Sequence, residues 1–336
     1  MAATIKDVAR LAGVSQSSVS RTLAAPDQVR PETRERVERV VAQLGYHPNR
    51  IARGLSTGRT GTIGFVVPDI ANPFFPGVVK AAQRRSRELG LSVLLADSDE
   101  DPATEIDLIR TLTKQVDGFV LCAPRASDDE LRSVCDDVPV VLLNRRVGQL
   151  PSIIFDNADG IRQALAHLAA LGHRRVAYVA GPRTSWVNRE RLRAVRFVAA
   201  SMGLEAVETG NVSPDFEGGV ASADLVLAAS VTSVIAYNDM IGLGLISRFA
   251  ARGVKVPDDI SIIGFDDIPA SALVTPALTT VSQPKDQCGR VGIDLLVDRL
   301  NERERSGGSR TSLPTRLIVR ATTGPARPEP PAGPGQ

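Results

Sequence analysis

The chain has 336 residues, of which 43% are apolar, 23% charged and 4% aromatic, enough for two or three domains with sizeable cores. No run of about 18 apolar residues exists, which excludes a helical membrane span, and the N-terminus lacks a basic stretch followed by an apolar core, so no secretory signal is expected. Cys122, Cys135 and Cys288 are odd in number and far apart, which excludes a disulfide framework and a Cys-x-x-Cys zinc site; a reduced, cytoplasmic protein without metal or cofactor is expected. The net charge of +2 hides an asymmetry: residues 1–60 carry ten basic and five acidic side chains, net +5, which leaves −3 for the remainder. A basic head on a mildly acidic body suits a polyanionic partner, although a solvated basic face would give the same count.

The head reads as three short helices. Thr4 caps the first, with Asp7 three residues on, and Ile5, Val8, Ala9 and Ala12 form one apolar stripe that Gly13 ends. Ser15 caps a second helix running through Val19 and Leu23. Pro31 and Glu32 open a third, whose stripe Val37, Val40, Val41 and Leu44 stops at Gly45. Two short helices joined by a Gly-containing turn make a helix-turn-helix. Its second helix would bury Val19 and expose Gln16, Ser17, Ser20 and Arg21, a face suited to base edges and phosphates in a major groove. Residues 46–60 form a connector. One helical turn over Ile51–Leu55, with Gly54 inside it, would not persist alone; Arg50 and Arg53 would welcome phosphates there, and Leu55 has no nearby core.

From Gly61 strands and helices alternate, which predicts parallel α/β sheet. The first set is Thr62–Val67 strand, Phe75–Leu89 helix, Ser92–Leu95 strand, Thr104–Lys114 helix, and strands Gly118–Leu121 and Val138–Leu143. The pattern then restarts with Ile153–Phe155, helix Asp159–Leu171, strand Arg175–Val179, strand Val234–Tyr237, helix Ile241–Arg252 and strand Ser261–Gly264. Two similar lobes are expected, split near residue 157, with helix Gln287–Arg303 and strand Ser312–Arg320 returning across the boundary. The Pro/Gly-rich residues 324–336 should form a disordered tail.

Ligands of open parallel sheets bind outside the carboxyl ends of the strands. The residues that follow those ends are Asp69, Asn72, Phe74 and Phe75; Asn144, Arg145 and Arg146; Asp156 and Asn157; Ser185, Trp186, Asn188, Arg189 and Arg191; Asn238 and Asp239; Asp266 and Asp267. Amide, carboxylate and guanidinium groups pair with vicinal hydroxyls, and aromatic faces cover the C–H face of a sugar. Asn and Asp also simply build turns, but six such turns together favour a polar ligand cleft. Catalytic motifs are missing: the histidines are scattered, no His-Glu-x-x-His, Gly-x-Ser-x-Gly or Walker A loop exists, and Gly242–Gly244 sits inside a helix, where packing explains it better than a dinucleotide turn.

The residues from 4 to about 323 resemble the LacI/GalR family of bacterial transcription regulators. TIKDVARLAGVSQSSVSRTL resembles the family's DNA-binding signature, HPNRIARGLSTGRT its hinge helix, and IANPFF, SWVNRER, YNDMIGLG, GFDDIP and PALTTVSQP its effector-domain landmarks in order. Two departures stand out: Arg30 before Pro31, where Ser is frequent, and Ala194, where Gly is frequent. The resemblance implies a helix-turn-helix head at 1–48, a hinge helix and linker at 49–60, and a two-lobed periplasmic-binding-protein-like core at 61–323. The lobes would run over about 61–156 with 285–310, and 157–284 with 311–323. It implies a homodimer on a pseudo-palindromic operator, with Thr4, Ser15, Gln16, Ser17, Ser20 and Arg21 at the DNA. Asn49, Arg50, Ala52, Arg53 and Leu55 would serve the hinge, the leucine wedging a base step in the minor groove. The implied effector contacts are Asn72, Phe74, Arg145, Asp156, Trp186, Asn188, Arg189, Asn238 and Asp266, with Arg189 and Asp266 foremost. A sugar is the first expectation for the effector and a nucleoside or purine the second. The family's tetramers carry a C-terminal leucine heptad helix, and a Pro-rich tail here favours a dimer. A repressor is the expected function. The alternatives are the solute-binding receptor of a sugar transporter, which the basic head disfavours, and an enzyme, which lacks its motifs.

Overall fold

The computed structural model describes residues 3–24, 26–46, 59–301 and 310–327. The expected hinge residues Asn49, Arg50, Ala52, Arg53 and Leu55 lie outside them. The chain divides into two compact units, residues 1–61 and 62–336.

In the first unit, α1 (Ile5–Ala12), α2 (Gln16–Ala24) and α3 (Pro31–Leu44) follow the expected order. Thr4 and Asp7 form a reciprocal capping box: the Thr4 amide donates to the Asp7 carboxylate at 3.0 Å, and the Asp7 amide to Thr4 Oγ1 at 3.4 Å. Gly13 and Gly45 end their helices at φ of 61° and 57°, where a side chain would be strained. Ser15 Oγ accepts from the Ser18 amide at 3.1 Å. Arg30, which stands where the resembled family often has Ser, provides no side-chain cap to α3. Val8, Val19 and Val37 are fully buried among Ala9, Ala12, Val40 and Tyr46.

The second unit holds two six-stranded sheets. The first lobe contributes β1 (Thr62–Val67), α4 (Phe74–Glu88), β2 (Ser92–Asp97), α5 (Pro102–Leu112), β3 (Gly118–Cys122), α6 (Asp128–Asp137), β4 (Val140–Leu143) and β5 (Ser152–Phe155). The second contributes α7 (Asn157–Ala170), β6 (Arg175–Ala180), α8 (Trp186–Ser201), β7 (Glu205–Asn211), α9 (Phe216–Ala228), β8 (Ser233–Ala236), α10 (Asp239–Ala251), β9 (Ser261–Asp266), α11 (Pro269–Leu273) and β10 (Thr279–Ser282). The chain then returns through α12 (Lys285–Asn301), β11 (Arg310–Leu313) and β12 (Arg316–Ile318). The strand orders are β11-β5-β4-β3-β1-β2 and β12-β10-β9-β8-β6-β7, the same winding twice. Strands pair in parallel except β12 on β10. The central strands are buried along their length, which is why they read as apolar runs rather than alternations.

The predicted strand Ser312–Arg320 is two strands in two sheets. Pro314 lacks the amide that a continuous ladder needs, so β11 pairs with β5 and β12 with β10. Residues 311–313 therefore lie in the first sheet, although they were expected in the second lobe. Residues 324–327, expected to belong to a disordered tail, are held against the second lobe. Gly324 donates to Ser261 Oγ and accepts from His173, the Ala326 amide donates to the Leu171 carbonyl, and Arg327 pairs with Asp259; residues 328–336 lie outside the described set. Gly244 is a packing glycine, as the sequence indicated: a Cβ there would stand 2.1 Å from the Phe216 carbonyl, where α10 meets α9. Gly244→Ala should lower the urea midpoint of the second unit by the equivalent of about 1–3 kcal/mol, while melting of the head by circular dichroism stays in place.

Candidate functional site

The carboxyl ends of the strands converge on a cleft between the two sheets of the core. Asn72 and Phe74 after β1, Glu100 after β2, Ala123 and Arg125 after β3, and Asn144 after β4 line it from the first lobe. Arg191 of α8, Tyr237 and Asn238 after β8, and Asp266 at the end of β9 line it from the second. Glu100, Ala123, Asn144 and Asp266 have φ of 59°, 48°, 54° and 109°. Left-handed non-glycine residues cost of order 1–3 kcal/mol each and gather where geometry serves a ligand.

Each lobe presents one acid–guanidinium pair. In the first, Arg125 Nε and Nη2 grip Glu100 at 2.5 and 2.7 Å, and Nη1 donates to the Ala123 carbonyl at 2.7 Å. The loop that carries Arg125 is fixed from below, because the amides of Arg125 and Ala126 donate to the buried Glu105 carboxylate at 2.9 and 3.1 Å. In the second, Arg191 Nε donates to Asn157 Oδ1 at 2.9 Å and Nη1 to the Tyr237 carbonyl. Its guanidinium lies 3.7 Å from the Phe265 ring centroid, and Nη2 stands 3.7 Å from Asp266 Oδ1. The cleft is thus polar, with a carboxyl group beside each guanidinium. Burial pushes the Asp266 carboxyl up to about 7 against the pull of Arg191. Asp239, behind the wall, is pushed by burial to about 6, against donors from Thr280, Ser271 and the Ile268 amide.

Four expected residues, Asn72, Phe74, Asn238 and Asp266, stand in this lining. Phe74 is edge-on to Phe75 and Phe155 at 5.2 and 6.0 Å between centroids. Asn238 also caps α10 through the Ile241 amide at 2.9 Å and donates to the Pro214 carbonyl at 2.6 Å. The other five have different work. Arg145 is buried and pins the turn before α6, bonding the Pro124 and Ala126 carbonyls at 3.0 Å and Asp128 at 2.7 Å. Asp156 is exposed and caps α7 through the Asp159 amide at 3.0 Å. Trp186 is half-buried against the second lobe's core. Asn188 accepts from the Gly181 amide at 3.0 Å and from the Tyr178 hydroxyl at 3.2 Å, which fixes the end of β6.

Arg189 is exposed, and its guanidinium donates to the Arg183 and Thr184 carbonyls at 3.3 Å; Arg191 takes the cleft position instead. The signal was present in the sequence. Val187, Arg191, Ala194 and Val195 sit at helical spacing on the buried stripe of α8, while position 189 falls off it. Glu100 and Arg125 were missed because the turns after β2 and β3, both predicted strands, were left out of the strand-end reading; that the two residues, 25 apart, form one ion pair is visible only in the fold.

In the head, Gln16, Ser17, Ser20 and Arg21 are exposed on α2 and Val19 is buried, as expected. Ser15 and Ser17 hydroxyls share a 2.7 Å hydrogen bond. Among the described residues no group of His, Cys, Asp and Glu suits a metal ion, and no helix is long and apolar enough to cross a membrane.

Residues 4–49 match the family described as bacterial regulatory proteins, lacI family, and residues 165–323 match the periplasmic binding protein-like domain. The chain is 34% identical over 337 residues to the HTH-type transcriptional repressor CytR of Escherichia coli strain K12, covering 96% of each chain. Its fold matches the lac repressor dimer bound to operator and the anti-inducer ONPF with a TM-score of 0.84 and 29% identity, over 96% of this chain and 100% of that one. It matches the transcriptional regulator CelR–cellobiose complex with a TM-score of 0.71 and 34% identity, over 95% and 99% of the two chains.

Between about pH 4 and 7 an unfolded aspartate with the ordinary value of 3.8 has lost its proton while folded Asp266 keeps its own. The folded state then binds more protons, and stability falls as pH rises through that window. Asp266→Asn should remove this share of the fall and be no less stable than wild type at pH 8, read from urea midpoints at each pH.

Proposed function

The chain belongs to the lacI family of bacterial regulatory proteins, and from there we propose a sequence-specific DNA-binding transcription regulator, a repressor, whose grip on DNA is set by a small ligand in the cleft. It works in the cytoplasm as a homodimer on a pseudo-palindromic operator. The named relatives are regulators rather than enzymes, and a head that matches the family on the same chain sets aside the receptor of a sugar transporter.

Gln16, Ser17, Ser20 and Arg21 are the proposed major-groove face, with Thr4 and Ser15 at the backbone. Asn49, Arg50, Ala52, Arg53 and Leu55 are the proposed hinge contacts. Asn72, Phe74, Asn238 and Asp266 are kept as ligand contacts, joined by Glu100, Arg125, Asn144 and Arg191. The observation that carries the ligand class is the acid–guanidinium pair on each wall of one cleft, Glu100–Arg125 and Arg191–Asp266. Above about pH 7, where Asp266 is ionised, a neutral polyhydroxylated molecule leaves both pairs intact and uses their remaining lone pairs and N–H groups, whereas an ionic one would leave a buried charge over. That chemistry favours a sugar, with a nucleoside as the second reading, and CelR was solved with cellobiose.

Selection from random-sequence DNA by the full chain should enrich a pseudo-palindrome; no enrichment would overturn the regulator reading. Gln16→Ala should relax preference at one base pair per half-site by about 1–3 kcal/mol without changing the salt slope, which phosphate contacts set. Emission of the single tryptophan, Trp186, should change saturably with a neutral sugar or nucleoside and stay flat with the matching sugar phosphates. A response to phosphates alone would overturn the neutral-ligand reading.

A further inference from the structure

Asp266 and Asp267 are consecutive left-handed residues, with φ of 109° and 53°, so the turn between β9 and α11 must be held from outside. Three of its holds belong to the second lobe. Asp239 of α10 accepts from the Ile268 amide at 2.9 Å and the Ser271 hydroxyl at 2.7 Å, Arg320 Nη2 bonds the Asp267 carboxylate at 2.5 Å, and the Asp267 amide donates to Thr280 Oγ1 at 3.4 Å. A fourth comes from the other side. Lys285 Nζ donates to the Asp266 carbonyl and, at 3.0 Å, to the Asp267 carbonyl.

Lys285 opens α12, and α12 belongs to the first lobe: Cys288, Ile293 and Leu296 are buried there with Phe65, Val120 and Val141. The lysine stem lies on Gly77 of α4, where a Cβ would approach Lys285 Cδ at 3.1 Å. A cation on the first turn of a helix opposes the helix dipole, so helix stability does not account for it. Two residues earlier, on the strand-to-helix crossover between lobes, the Gln283 amide is 2% exposed and neither of its polar atoms has a hydrogen-bond partner among the described residues. A buried amide without protein partners is costly, and it lies on the crossover that leads into Lys285.

We propose that Lys285 is a positioning residue: anchored in the first lobe, its ammonium holds the left-handed turn of the second lobe, so that lobe angle and the setting of the Asp266 carboxylate change together. This rests on the reading of the cleft as the ligand site. The charged groups facing Asp266 are Arg191, Asp239 and Lys285; the first is bound within the second lobe, the second is a carboxylate, and Lys285 alone of the three is anchored in the other lobe.

The test uses the full chain without ligand or DNA, labelled with aspartate carrying 13C at the carboxyl, the Asp266 signal being assigned by its loss in Asp266→Asn. In Lys285→Met the Asp266 titration midpoint should rise by about half a pH unit or more, because a cation favouring the ionised form is gone. Amide exchange over residues 266–271 should accelerate by about tenfold, with β6 and β8 unchanged. Lys285→Arg should restore both. An unmoved midpoint and unchanged exchange in Lys285→Met would overturn the proposal, as would an arginine variant that behaves like methionine or a loss of protection spread over the whole second lobe. Should Lys285→Met fail to fold, Gly77→Leu crowds the lysine stem while keeping the charge and must move both readouts the same way. Because no ligand enters, a failed sugar titration and a failed result here are separate outcomes.

Discussion

The buried guanidinium of Arg191 organises the second half of the cleft. Removing an ion from water costs several kcal/mol unless hydrogen bonds and opposite charge replace the hydration. Here the replacements come from three separate parts of the chain: Asn157 at the start of α7, the Tyr237 carbonyl after β8, and Asp266 with Phe265 on β9. Satisfying one side chain thus fixes the relative placement of the segments that line the second lobe's wall. Arg125 does the equivalent work opposite, closing the loop after β2 onto the loop after β3 through Glu100 and the Ala123 carbonyl.

Both arginines sit among left-handed residues. Glu100, Ala123, Asn144 and Asp266 all bend the chain at strand ends, where a regular turn would point their side chains or carbonyls elsewhere. The sheets supply the rigidity that holds such turns, and the turns supply a polar surface with little freedom left to lose on binding. The same winding occurs in both sheets, so the cleft has a strand-end wall on each side.

What the sequence made legible was what local chemistry determines. Thr4, Asp7, Gly13 and Ser15 are caps, and caps act over three or four residues, so the head followed directly. The central strands were legible because burial on both faces makes them apolar runs. Helices α6, α8 and α9 and strands β7 and β10 were not assigned; β7 is mostly exposed and lacks the apolar run of its neighbours, and without α8 there was no face on which to separate Arg191 from Arg189. The pairs Glu100–Arg125 and Arg191–Asp266 join residues distant in sequence, and nothing short of the fold brings them together. The division of 310–318 between two sheets depends on a single proline, and the docking of 324–327 depends on His173, Ser261 and Leu171, none of them nearby in the chain.

The late return of the chain has a consequence during synthesis. Neither sheet is complete until β11 and β12 have been made, since each sheet takes its outermost strand from residues 310–318. The head, closed by residue 61, leaves the ribosome well before them. At roughly 5–20 residues per second, it is folded for something like a quarter of a minute to a minute while both sheets still lack an edge. During that interval a nascent chain carries a finished helix-turn-helix without a finished cleft, and the open edges beside β5 and β10 are the surfaces that chaperones or neighbouring chains on the same message would meet first.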